Sequence, residues 1–85
     1  MEWDAELNRS YKALQAALDA PGRAALTASQ RAWIAYRDME WRAIDRYHAA
    51  KEGTMYLPMA AHRRMQVVRT RALELADYLE FVSGR

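Results

Sequence analysis

The stretch Gln30–Trp41, QRAWIAYRDMEW, sets the largest apolar side chains of the chain among charges that a helix cannot easily keep out of its core. At 100° per residue, Leu26, Gln30, Trp33, Ile34, Arg37, Glu40, Trp41, Ile44 and Tyr47 fall within one broad arc. Arg37 lies near its middle. A guanidinium there finds a carboxylate or suffers a desolvation cost of several kcal/mol. The stretch therefore reads as the core helix of a small bundle.

Upstream, Leu7, Tyr11, Leu14 and Leu18 repeat at spacings of four, three and four, one apolar stripe of a helix from Trp3 or Asp4 to Asp19. The acids Glu2, Asp4 and Glu6 suit the positive end of its dipole. Asp19, Ala20, Pro21 and Gly22 then stop one helix and start the next, with Pro21 in its first turn. Helix two runs to about Lys51, where Glu52, Gly53 and Thr54 break the pattern. Helix three begins near Pro58 and carries the stripe Ala61, Met65, Val68, Ala72, Leu75, Leu79, Val82. The fold class is all-α: one domain over residues 1–85, a three-helix antiparallel bundle with a long central helix. At 1.5 Å per residue helix two is about 45 Å long and helix one roughly 24 Å, so a helix 2/helix 3 hairpin protrudes.

Folding the hairpins in register sets Asp4 level with Arg37. Asp4, Gln30, Arg37 and Glu40 are thus the expected polar core, with Asp4 the first candidate to hold Arg37 and Glu40 the local alternative; the other outcome is that Arg37 snorkels past Trp33 and Trp41 to water. At the uncovered end, Trp41, Ile44, Tyr47, Met55, Tyr56 and Met59 form an expected partner-binding patch. Exposed thioether and aromatic groups of this kind mark adaptable interaction surfaces.

Taken together, AELNRSYKAL at Ala5 to Leu14, QRAWIAYRD at Gln30 to Asp38 and RTRALELADYL at Arg69 to Leu79 resemble the lysozyme-inhibitor LprI-like family. The motifs LN..Y, Q..W..YRD and R..EL occur in order, and the resemblance covers nearly the whole chain. It implies a small, mostly helical, usually exported bacterial domain, with lysozyme inhibition in a few members. The family pattern often has a cysteine soon after YRD; Trp41 stands there in this chain, and the cysteine-bearing segment ahead of LN..Y is absent. A periplasmic or secreted location follows from the resemblance, a cytoplasmic one if Met1 is the native start.

The remaining composition narrows the function classes. No cysteine is present, which excludes disulfides and thiolate metal sites. No apolar run is long enough to span a membrane, so no membrane insertion is expected. Only His48 and His62 could act as imidazole bases. With Asp45 and Glu52 near, they make no dense ligand motif and read as surface histidines, so no metal and no cofactor is expected. Serines lie in no G-x-S-x-G turn, and no catalytic residue is assigned. Arg63, Arg64, Arg69 and Arg71 form a cationic run, but the net charge is only +2 and acids are interleaved, so the run reads as a solvated face and no nucleic-acid partner is expected. The resulting expectation is a non-catalytic protein-binding module, with lysozyme as the sharpest candidate partner. The alternative is a self-associating structural or adaptor domain pairing across Trp41 and Tyr47.

Overall fold

A computed structural model describes residues 2–51 and 56–84 of the chain. Three helices follow one another: α1 (Glu2–Ala17), α2 (Ala20–Ala49) and α3 (Tyr56–Val82). The α1–α2 turn is closed by Asp19, whose Oδ1 accepts the Gly22 N–H at 2.9 Å and caps α2, with Pro21 in the first turn. Arg23 Nη1 donates to the Leu18 carbonyl at 2.6 Å, satisfying an orphan acceptor at the end of α1.

Leu7 and Leu14 of α1, Leu26 of α2, and Val68, Ala72 and Leu75 of α3 make up the core, with Trp3, Tyr11, Leu18, Trp33, Trp41 and Leu79 packed against it. Val68 and Leu75 are fully buried. Side chains of this size contribute about 1.5–3 kcal/mol each when removed from water. The molecule is a rod of 50 × 21 × 16 Å, and its radius of gyration of 15.5 Å exceeds the roughly 12 Å of a compact chain of this length. That elongation is the protruding hairpin of two long helices and one short one.

The packing order departs from the sequence expectation. α1 lies chiefly on α3, parallel to it, and approaches α2 only slightly. Trp3 stacks beneath the Arg69 guanidinium at 5.4 Å from the ring centroid. The reason lies in the flanks of α2. Beside its core seam it offers Thr27, Arg31 and Asp38, whereas α3 presents the small Ala72 between Val68 and Leu75. Ile34, on the expected apolar arc of α2, is 39% exposed. At the start of α3, Ala60 is buried in place of the expected Ala61.

Candidate functional site

The seam of α2 that meets α3 consists of Leu26, Gln30, Trp33, Arg37, Trp41 and Ile44, spaced by four, three, four, four and three. The charge it buries is not its own. Arg71 of α3 is 7% exposed, and its guanidinium donates to Gln30 Oε1 at 3.0 Å, Ser29 Oγ at 3.1 Å and Glu74 Oε1 at 3.2 Å. Every nitrogen thus has an acceptor, which is what makes burial of a cation tolerable. The expected polar core is corrected accordingly. Gln30 is buried and takes Arg71 as partner. Arg37 is half-buried, reaches neither Asp4 nor Glu40, and pairs with its neighbour Asp38 at 2.8 and 3.0 Å. Its carbon stem runs along the aromatic seam, leaving the guanidinium 4.8 Å from the Trp41 ring and 5.6 Å from that of Trp33. Asp4 is exposed because α1 sits on α3, away from the α2 flank where Arg37 emerges.

The expected partner patch divides in two. Trp41 turns inward and its indole Nε1 donates to the Arg64 carbonyl at 3.1 Å; Ile44 is buried. These two side chains hold α2 to α3: Trp41 is partly buried against the core, and Ile44 keeps only an edge at the groove described below. Tyr47 and Met59 stay outside, 67% and 49% exposed. Met55 and the side chain of Tyr56 lie outside the described residues. Glu40 is half-buried on the same side as Tyr47.

These outward groups border a groove of about 730 Å³ between α2 and α3, on the side of the pair opposite α1. Trp33, Tyr36, Glu40, Ile44 and Tyr47 form one wall, and Met59, Arg63, Val67, Thr70 and Glu74 the other. The α3 residues that approach Trp3, Arg69 and Leu73, lie across the core line from that wall. The groove therefore runs along some fifteen residues of each helix, about 22 Å. Sequence reading placed the open surface at the tip alone; the structure opens a whole side. Tyr36 and Val67 were missed, although both recur at helical spacing with Glu40, Arg63 and Glu74 once α1 is assigned to the other flank.

His48 also lines the groove. His48 Nδ1 lies 2.8 Å from the Ile44 carbonyl and is engaged by its own helix. Among the described residues no three histidine or acidic side chains gather as a metal site, and no helix is long and apolar enough to cross a membrane. Of the known protein families, that described as "Lysozyme inhibitor LprI" has a model that matches residues 1–75. No curated protein and no solved structure matches the chain.

Proposed function

The chain belongs to the lysozyme inhibitor LprI family, and from that membership we propose that it is a non-catalytic protein-binding module, with lysozyme as its target and the open side of the α2–α3 pair as its docking face. The observation that carries this reading is the groove itself: aromatic and thioether side chains, Tyr36, Tyr47 and Met59, stand exposed around a trough long enough for four turns of helix. A rigid two-helix wall with a small number of charges around apolar anchors is suited to holding a protein surface by burial.

The sequence pI of about 9.2 matches the sign of basic animal-type lysozymes. Encounter with such a target gains nothing from electrostatic steering and proceeds at an ordinary rate of about 10⁵–10⁶ M⁻¹s⁻¹. Affinity then rests on buried contacts. Purified protein added at stoichiometric dose to muramidase digestions of bacterial cell walls is expected to slow lysis. Undiminished lysis by several lysozyme types would remove lysozyme as the target.

A further inference from the structure

We propose that the open face of α3 pairs with the same face of a second copy, antiparallel, across a two-fold axis between Val67 and Thr70. The inference rests on the open side being a docking face and sets a second copy in competition with lysozyme for it.

The first ground is the order of side chains along that face. Met59, Arg63, Val67, Thr70, Glu74 and Tyr78 follow each other at spacings of four, four, three, four and four, on one stripe of α3 away from α1. Five of them are exposed and Val67 is half-buried. Read from either end the stripe goes apolar, charged, small, small, charged, apolar, and the two charges have opposite sign. Reversing one copy against another sets Arg63 opposite Glu74, Val67 opposite Thr70 and Met59 opposite Tyr78. Beyond them, Phe81, 80% exposed, comes level with Leu57, 73% exposed. A parallel pairing would oppose like charges at two levels. A two-fold interface must be complementary to itself in this way.

The second ground is area. The chain exposes 6281 Å², whereas a compact protein of 9.9 kDa exposes about 5,200 Å². The excess of roughly 1,000 Å² is enough for the ~800 Å² per partner of a standard stable interface. Pairing two hairpins side by side makes a four-helix arrangement and closes the groove that α1 leaves open. Glu74, already accepting from Arg71, would then accept from the second copy's Arg63 as well.

Sedimentation equilibrium or light scattering of the full chain reads the outcome directly. The expected mass is twice 9.9 kDa. Arg63→Glu sets two acids face to face at both ends and is expected to weaken pairing at least tenfold. The double change Arg63→Glu, Glu74→Arg restores opposite charges and is expected to recover it. Tyr78→Glu, an independent exposed site, is expected to weaken pairing likewise, with circular dichroism confirming intact helices throughout. A single-copy mass at the highest soluble concentration overturns the inference, as does a dimer indifferent to both single changes. The two readings separate through the Tyr78→Glu chain, whose substitution lies outside the groove. A monomer that slows lysis loses only the second copy, and a dimer that slows no lysozyme even after Tyr78→Glu has parted it loses only the target.

Discussion

Arg71 and Gln30 are joined across the α2–α3 seam by a 3.0 Å hydrogen bond, although 41 positions separate them in the chain. The guanidinium is almost wholly out of water, and Gln30 is 9% exposed. Removing one partner leaves the other desolvated and unpaired. Arg71→Ala is therefore expected to cost about 2–3 kcal/mol in denaturant unfolding. Gln30→Leu combined with Arg71→Met is expected to lose less than the sum of the two single changes, since apolar groups of similar shape replace both partners. Additive losses in that cycle would show that the pair is not coupled.

Arg37 yields the opposite expectation about Asp4. Its carboxylate partner is Asp38 and its ring contacts are Trp41 and Trp33. Asp4→Asn should leave stability within about 0.5 kcal/mol of the unaltered chain, as surface changes away from contacts do. Arg37→Ala should lose about 1 kcal/mol, mostly from ring stacking and from the stem packed on the indoles, since the exposed Asp38 pair is weak. Thermal unfolding of the three proteins side by side decides the matter. An Asp4→Asn loss as large as that of Arg37→Ala would restore the α1 contact.

The helices, the turn at Asp19–Gly22 and most of the α2 seam were legible in the sequence because they depend on local chemistry: spacing, caps and breakers. Which neighbour α1 would choose was not. That choice turns on the comparison of two flanks, polar beside the α2 seam and small at Ala72, and a single helix's periodicity does not contain it. The same limit explains the exchange of Arg37 for Arg71. Both arginines lie on apolar stripes, 71 sitting between Val68 and Leu75, but the cationic run Arg63, Arg64, Arg69, Arg71 reads as solvated until the acceptors Gln30 and Ser29 are brought opposite it. Trp41 and Ile44 were recognised as large apolar groups at the far end of α2; only the burial of Ile44 and the bond from Trp41 to the Arg64 carbonyl show that they are turned toward α3.

The α1–α2 connection tests the cap chemistry. A Cβ at Gly22 would stand 3.0 Å from Asp19 Oδ1 and 3.2 Å from two Leu18 carbons. Gly22→Ala must therefore push on the carboxylate that caps α2. Despite the gain alanine normally brings inside a helix, it is expected to lose about 1 kcal/mol, close to the ~1 kcal/mol expected for Asp19→Ala. Urea midpoints for both variants check this. A stabilised Gly22→Ala would mean that the cap yields without loss.

Trp41 and Tyr47 sit six positions apart on α2 and must answer differently to the same substitution. A glutamate at 41 forfeits the indole bond to Arg64, the ring beneath Arg37 and a place in the core, so Trp41→Glu is expected to lose about 3–5 kcal/mol and to unfold the hairpin at ambient temperature. Tyr47 is two-thirds exposed at the rim of the groove, and Tyr47→Glu is expected to change stability by less than about 0.5 kcal/mol. Yet it puts a charge where the docking face needs an apolar anchor, and loss of such an anchor commonly costs 2 kcal/mol or more, roughly thirtyfold in target affinity. Binding of lysozyme measured by calorimetry, alongside the helical signal of each variant, separates the two roles. Full binding by a well-folded Tyr47→Glu protein would move the docking face away from the α2 wall of the groove.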